Sequence, residues 1–189
     1  MNPFLERLIT TIISIGSLIL PSISGIDPVF SHVDFLIEGN RLLISAALDN
    51  CYSEDFDTFL KSGETIRLNF TLELFAEKQN RPIAKQVITH QVRYNLIEQR
   101  FVMIFSEYPR SVELATLEQV HAQLVRLHRV EALSAKALKS QQRYYLVLSA
   151  DLASLALVGR KDPFNLMLLW NKTAPRSRSQ TFSLDDFIL

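Results

Sequence analysis

The sequence contains a single cysteine, Cys51, among its 189 residues. One thiol excludes an intramolecular disulfide, and it also excludes a metal site built from cysteines alone. Because cysteine is among the most frequently buried residue types, we expect Cys51 to lie in the core and to be inert. The alternative is a bridge to another molecule in an oxidising compartment.

Glycine is also scarce, with five residues, and none forms a Gly-x-Gly-x-x-Gly pattern or a phosphate-binding P-loop. The chain has no Gly-x-Ser-x-Gly nucleophile motif in its folded region. The four histidines are His32, His90, His121 and His128, and their spacings are not those of zinc ligands. His90 falls on the apolar side of an alternating segment, which predicts a hydrogen-bonded core imidazole. We therefore predict no catalytic residue, no metal ligand and no cofactor.

The chain has no excess of charge of either sign, since twenty Lys and Arg residues balance twenty Asp and Glu residues. Proteins that bind nucleic acids or membrane surfaces electrostatically usually carry a basic excess, so we expect no nucleic-acid partner. Hydrophobic residues make up 48% of the sequence and charged residues 21%, which is typical of a globular chain. The length suits one domain, with or without a targeting segment.

A long apolar run is missing as well, but residues 8–20 ("LITTIISIGSLIL") carry no charge. A membrane-spanning helix needs about 20 apolar residues. The shorter run, followed by Pro21 and small residues up to Ser24, is typical of a signal peptide. We predict a signal peptide over 1–24, one domain over 26–189, and a periplasmic or secreted protein. The alternatives are an uncleaved anchor, which would be the only membrane contact, and an N-terminal helix packed into the domain.

The most regular feature of the sequence is the two-residue alternation of "GETIRLNFTLELF", residues 63–75. Its apolar positions are Ile66, Leu68, Phe70, Leu72 and Leu74, and its polar positions are Thr65, Arg67, Asn69, Thr71 and Glu73. Alternation of this kind predicts a strand with one buried face. We expect the apolar side to form one wall of the core. The polar side is expected to be solvated, with a binding role as the alternative.

Further strands are predicted at 29–37, 41–48, 83–96, 100–105, 143–157 and near 181–184, with 164–170 either a strand or a helical turn. The Gly39–Asn40 pair predicts a tight hairpin between the first two. In the first strand, alternation places Val29 on the same side as Val33, Phe35 and Ile37, with Phe30 opposite. Residues 100–105 are apolar on both sides, which predicts a central strand covered on each face.

Two helices are predicted. Ser53 is a suitable N-cap for the first, which carries Phe56 and Phe59 at helical spacing. Thr116 and Gln119 have the spacing of a capping box, and apolar positions continue the second helix to residue 128. Seven or eight strands without a βαβ rhythm predict a mainly β fold. We expect an antiparallel β-sandwich, immunoglobulin-like or similar, with two short helices.

Two pairs of charged residues near the carboxyl end are candidate site residues. Arg176 and Arg178 lie in a predicted loop, where two guanidinium groups can hold an anionic group or the carboxylates of a partner. The alternative is a solvated loop. Asp185 and Asp186 are adjacent in a predicted strand, so their side chains would point in opposite directions. They predict a solvated strand end rather than an acid/base pair.

Five features, in order from about Phe30 to the carboxyl end, carry a resemblance. They are "LLISAALD", "FLKSGETIRLNFTLELF", "VRYNLIEQRFVM", "YYLVLSADLASL" and the later Trp170. This order resembles an uncharacterised bacterial exported-protein family, catalogued only as a domain of unknown function. The resemblance implies a secreted or periplasmic protein, often encoded near a sensor kinase, with no known catalytic residues. Phe182 or Phe187 stands where the resemblance leads us to expect a second tryptophan.

These observations favour a non-catalytic extracytoplasmic protein that binds an envelope protein or a membrane sensor. Binding would use surface complementarity or pairing with an exposed sheet edge. A carrier of a lipid or other apolar ligand is the alternative, and it predicts a cavity lined by Phe and Leu between the sheets or beneath the 116–128 helix. A hydrolase is a third hypothesis, and it predicts that two histidines and the carboxylates converge in a cleft.

Overall fold

The computed structural model describes residues 25–108, 110–135, 138–156 and 161–187. The predicted signal peptide, residues 1–24, lies outside these ranges and stays a prediction. Within them, the helices are all too short or too polar to cross a membrane.

Ten strands and two α-helices make up most of the described chain. The strands are β1 (Val29–Glu38), β2 (Arg41–Asp49), β3 (Thr65–Ala76), β4 (Ala84–Asn95), β5 (Arg100–Phe105), β6 (Ser111–Leu114), β7 (Arg126–Ser134), β8 (Arg143–Leu152), β9 (Arg176–Arg178) and β10 (Phe182–Ser183). The helices are α1 (Glu54–Leu60) and α2 (Leu117–Leu124), and two 3₁₀ helices span Leu166–Trp170 and Leu184–Phe187.

The strands form two sheets, and all paired strands within each sheet are antiparallel. The smaller sheet has the order β1-β2-β7. The larger, seven-stranded sheet has the order β10-β8-β3-β4-β5-β6, with β9 also paired to β8. The predicted antiparallel β-sandwich with two short helices is therefore confirmed.

The centre of the larger sheet is β3, the strand with the most regular alternation in the sequence. Its apolar side chains at 66, 68, 70, 72 and 74 are each at most 1% exposed. They belong to one hydrophobic cluster with side chains from β2, β8 and both helices. Ser53 and Thr116 cap α1 and α2 as predicted, and Thr116 forms the capping box with Gln119. The prediction of a core wall at β3 is confirmed.

The first strand departs from strict alternation. Val29 is 54% exposed, whereas Phe30 packs on Phe70 with ring centroids 6.5 Å apart. The cause is a β-bulge between Ser31 and Asp34, where His32 has a φ of 50°. The extra residue reverses the alternation. The prediction that Val29 lies on the same side of the strand as Val33, Phe35 and Ile37 was therefore wrong.

The second helix is shorter than predicted, because it ends at Leu124 and β7 begins at Arg126. The last carbonyl groups of a helix need partners from outside the helix. The Leu124 carbonyl oxygen accepts a hydrogen bond from Nδ1 of His90 at 2.7 Å, which satisfies it without another turn. The chain then pairs with β2, and Leu127 lies opposite Ala46. His121 and His128 therefore do not share a helix.

The carboxyl-terminal segment differs from its predicted form in three places. Residues 164–170 take the helical alternative, as the 3₁₀ helix Leu166–Trp170. Arg176 and Arg178 lie in the short strand β9 rather than in a loop. Asp185 and Asp186 lie in a 3₁₀ helix rather than a strand, because the Asp186 carboxylate accepts the Ser183 N–H at 2.7 Å and turns the chain. Both carboxylates are exposed, as expected.

Candidate binding surface on the seven-stranded sheet

The outward face of β5 is open to solvent. Phe101 and Met103 point into the core, but Ile104 is 47% exposed. The prediction that this strand is covered on both faces was wrong. In the described part of the chain, the smaller sheet and the two helices pack against the opposite face of the larger sheet, so the outward side chains of β5 have no layer above them.

A groove of about 780 Å³ lies over this open face. We call it the sheet groove, and its floor consists of Thr65, Arg67, Gln91, Arg93, Val102 and Ile104. Strand register arranges the floor in two rows across β3, β4 and β5. One row is Arg67, Gln91 and Ile104, and the next is Thr65, Arg93 and Val102. Directly opposed side chains in such rows have Cβ atoms about 5 Å apart, so these six groups form one continuous surface.

The turn between β4 and β5 forms one end of the sheet groove. Asn95 holds this turn, because its side-chain oxygen accepts the N–H groups of Ile97 at 3.0 Å and Glu98 at 3.2 Å. The Ile97 side chain is 90% exposed at this turn. Together with Ile104, it places two large apolar side chains at the groove. Apolar groups gathered on a rigid surface are typical of binding sites.

Gly63 sets the position of β3 against this turn. Its φ is 85°, a left-handed conformation that favours glycine. A β-carbon at this position would lie 3.0 Å from Cδ1 of Leu96, so the two segments are in close contact. The Gly63 carbonyl oxygen accepts a hydrogen bond from Nε of Arg93 at 3.1 Å. The glycine therefore helps to orient the guanidinium group in the groove.

The sheet groove is positively charged. Arg67 and Arg93 are exposed, and neither forms an ion pair with a residue in the described ranges. Other cations of the larger sheet do have partners: Lys85 lies 3.7 Å from Glu73, and Arg100 lies 3.4 Å from Glu113. Two unpaired guanidinium groups beside apolar side chains can receive carboxylates.

The neighbouring polar surface of β3 is already satisfied within the protein. The Thr89 hydroxyl donates to the side-chain oxygen of Asn69 at 2.9 Å, and the Asn69 amide donates to Asp151 at 3.1 Å. These three side chains cross β4, β3 and β8 as one hydrogen-bonded row. This hydrogen-bonded row therefore separates the charged sheet groove from the rest of the outward face.

Arg176 and Arg178 lie at the far edge of the same outward face. Register places Arg176 opposite Ser149, and Arg178 opposite Val147, on β8. The Arg178 guanidinium lies 3.7 Å from the centre of the Tyr145 ring, a cation–π contact. The two predicted residues lie two positions apart on one strand, on the same face, but β8 separates them from β3 and the sheet groove.

The sequence reasoning did not single out Arg67 and Arg93. Alternation does place each on the polar side of its strand. Their proximity depends on the β3–β4 register, in which Thr65 lies opposite Arg93. The pairing register of β3 and β4 is the information that would have shown that the two arginines lie close together.

The histidines do not converge in the described structure. His90 is fully buried, and its Nε2 lies 2.9 Å from Oε1 of Glu107. The prediction of a hydrogen-bonded core imidazole is confirmed. Separately, Nε2 of His121 lies 2.7 Å from Asp57, joining α2 to α1. The described residues contain no group of three His, Cys, Asp or Glu side chains placed to hold a metal ion.

The ring of His121 also stacks on Tyr52, with centroids 3.7 Å apart. Burial, followed by the nearby Cys51 and Asp57, raises the pKa of Tyr52 above its ordinary value. The Tyr52 hydroxyl therefore stays protonated and donates to the His121 carbonyl oxygen at 3.2 Å. These contacts give His121 a role in joining the two helices.

Cys51 is 2% exposed, which confirms the predicted burial. Burial, with a smaller contribution from Asp49, raises the pKa of its thiol from 9.0 to about 12. The thiolate is the form that reacts with alkylating reagents and disulfides. The thiol of the folded protein is thus both covered and protonated.

We expect Cys51 to resist iodoacetamide at pH 8 in the folded protein and to react readily once guanidinium unfolds the chain. Because the unfolded thiol ionises near pH 9 and the folded thiol near pH 12, its contribution should lower the free energy of unfolding as pH rises between these values. Mass spectrometry of alkylated samples tests the first point. Rapid labelling without denaturant would contradict it.

The fold and the surface together define a two-sheet antiparallel β protein whose larger sheet has an open, positively charged groove. A family model described as "Domain of unknown function (DUF4390)" matches residues 29–160, and the chain belongs to that family. The resemblance to an uncharacterised domain family is therefore confirmed, although the match ends before the segment that contains Trp170. A comparison with curated proteins found no match.

Proposed function

We propose that this protein is a non-catalytic binding protein that recognises another protein through the sheet groove. The observation that carries the proposal is the coincidence of exposed Ile97 and Ile104 with the unpaired guanidinium groups of Arg67 and Arg93. The complementary surface on the partner would carry apolar side chains flanked by Asp or Glu. Apolar contact would supply affinity, and the charge pairs would set orientation.

A void between the sheets, in the described part of the chain, is too small for a carried ligand and so supports surface binding. The void beneath Phe35 and Leu148 measures about 10 Å³. This is about the smallest volume that can hold a single water molecule, ~10–15 Å³. A drug-sized apolar ligand needs a cavity of ~300 Å³ or more. A lipid at this point of the core would therefore require the two sheets to separate.

The sheet edges support recognition by the face rather than by strand addition. At one edge of the larger sheet β6 has four residues, and at the other β9 has three. In the smaller sheet both edge strands are irregular, since β1 contains the bulge at His32 and the pairing of β7 with β2 has two register shifts. Short and bulged edges disfavour pairing with another chain.

The proposed partner is an envelope protein or a membrane sensor, and the proposed location is periplasmic or secreted. The apolar run of residues 8–20, the small residues that follow it, and the resemblance to an exported family support the location. Membrane contact through the sheet groove is not part of the proposal, because only two large apolar side chains of the groove, Ile97 and Ile104, are exposed, and two arginines lie beside them.

We expect the Arg67→Gln/Arg93→Gln variant to bind its partner at least about tenfold more weakly, since each lost charge-assisted hydrogen bond is worth ~1.5–3 kcal/mol. The measurement is affinity capture from an envelope extract of the source cells, with quantitative mass spectrometry and then titration of the purified partner. Ile104→Asn should weaken the same interaction by removing apolar contact. Unchanged thermal unfolding of the variants would show that they are folded.

The matched control is Arg81→Gln, which removes an exposed arginine in the β3–β4 turn outside the groove. It should retain the same partner at wild-type affinity. An Arg176→Gln/Arg178→Gln variant measures whether the partner extends to β9. A partner held equally by wild type and by the Arg67→Gln/Arg93→Gln variant would overturn the proposed groove.

A further inference from the structure

A second concave surface lies where β5 turns toward β6. An open pocket of about 300 Å³ forms there between the turn, α2 and the start of β7. We call it the turn pocket. Its lining includes Phe105, Glu107, Tyr108, Arg110, Arg126 and His128. It shares no lining residue with the sheet groove.

The two arginines of the turn pocket form no ion pair with any residue of the described chain. Arg110 and Arg126 are exposed, and each is free of an ion pair with a described residue. They approach from different elements, the β5–β6 turn and β7. Guanidinium groups that line one concavity from two sides are suited to holding an anion between them.

Glu107 is the one carboxylate among the lining residues, and its charge is compensated from below. Nδ1 of His90 carries hydrogen, because the Leu124 carbonyl oxygen can only accept. Nε2 lies 2.9 Å from the Glu107 carboxylate, so a proton must lie between these two acceptors. Whichever group holds that proton, the pair has no net charge. The two arginines therefore leave the turn pocket positive.

The pocket also offers an apolar surface. The rings of Phe105 and Tyr108 meet edge to face, with centroids 6.2 Å apart and an interplanar angle of 75°. Phe105 is buried beneath the pocket, whereas Tyr108 is 45% exposed. An aromatic ring exposed beside cations provides a contact for the apolar part of a ligand.

We propose that the turn pocket binds a small organic anion, with its carboxylate or phosphate group between Arg110 and Arg126 and its apolar body against Tyr108. The volume limits the ligand to the lower end of the size range of small-molecule sites. This inference does not depend on the proposed function of the sheet groove, because the two surfaces have no residue in common.

Three probes test the proposal on the full chain at low ionic strength: benzoate, inorganic phosphate and benzyl alcohol. We expect benzoate to bind with a Kd of about 1 mM, measured by chemical-shift changes in NMR spectra. Benzyl alcohol, which keeps the ring and lacks the charge, should bind at least about tenfold more weakly. Tighter binding of benzoate than of phosphate would support the contact of the apolar body with Tyr108, and phosphate binding as tight as that of benzoate would overturn that contact.

The variants Arg110→Gln and Arg126→Gln should each weaken benzoate binding at least about fivefold. Tyr108→Ala should weaken benzoate binding more than phosphate binding. Arg81→Gln is the matched control and should bind both probes as the wild type does. Equal binding of benzoate and benzyl alcohol, or wild-type affinity in Arg126→Gln, would overturn the proposal, as would absence of binding by both anions at 50-fold the expected Kd.

Discussion

Replacing Trp170 with alanine should lower the free energy of unfolding by about 3–5 kcal/mol, the range typical of aromatic truncations in cores. The side chain is fully buried, and its Nε1 donates a hydrogen bond to the Cys51 carbonyl oxygen at 3.0 Å. The substitution removes the largest of the fully buried side chains and leaves that buried carbonyl without its donor. Its contacts join residues 119 positions apart in the chain.

Trp170→Phe separates the two contributions, since it keeps most of the apolar volume and loses the N–H donor. We expect it to cost about 1–3 kcal/mol, the penalty for an unsatisfied buried polar group. Urea unfolding followed by circular dichroism is the suitable measurement, because the variants lack the one tryptophan of the chain. A loss below about 1 kcal/mol in Trp170→Ala would show that the 3₁₀ helix is not part of the core.

Replacing His90 with leucine should destabilise the protein by about 3–5 kcal/mol, the usual cost of removing one member of a buried ionic pair. The change leaves the Glu107 carboxylate, whose side chain is 10% exposed, without its partner. It also leaves the Leu124 carbonyl oxygen at the end of α2 without the Nδ1 donor. Both losses act on the packing of α2 against the larger sheet.

Glu107→Gln is the matched control for this prediction. The glutamine amide can donate to Nε2 of a neutral His90 that still donates from Nδ1, so both hydrogen bonds survive and the expected cost is below about 1 kcal/mol. The double variant His90→Leu/Glu107→Leu should recover much of the loss, because no unpaired charge remains. Urea unfolding of wild type, His90→Leu, Glu107→Leu and the double variant gives the coupling energy of the pair. Equal destabilisation by His90→Leu and Glu107→Gln would contradict the proton-sharing arrangement.

Features set by local pattern could be predicted from the sequence. The alternation of residues 66–74 placed one face of β3 in the core, and the Thr116–Gln119 spacing identified the cap of α2. Local pattern could not determine what covers a strand. The apolar residues on both sides of β5 predicted burial on both faces, yet Ile104 is exposed because no second layer of the described chain covers it.

Features that depend on tertiary contacts could not be predicted from the sequence. The apolar spacing that continued α2 to residue 128 fits a strand as well, and pairing with β2 decides between them. The bulge at His32 reverses a pattern that otherwise alternates. The candidate groove required the register of three strands, and the contact between Trp170 and Cys51 required the fold itself. The candidates Arg176 and Arg178 could be found because only one residue separates them in the chain.

The pairing of β9 and β10 with β8 determines which edge of the larger sheet is left open. Both short strands follow residue 160, where the family match ends, yet they occupy the free side of a strand that is buried along most of its length. Without them, the backbone N–H and C=O groups on that side of β8 would be available to a second chain. The carboxyl-terminal strands therefore cover a stretch of sheet edge that would otherwise be open to pairing.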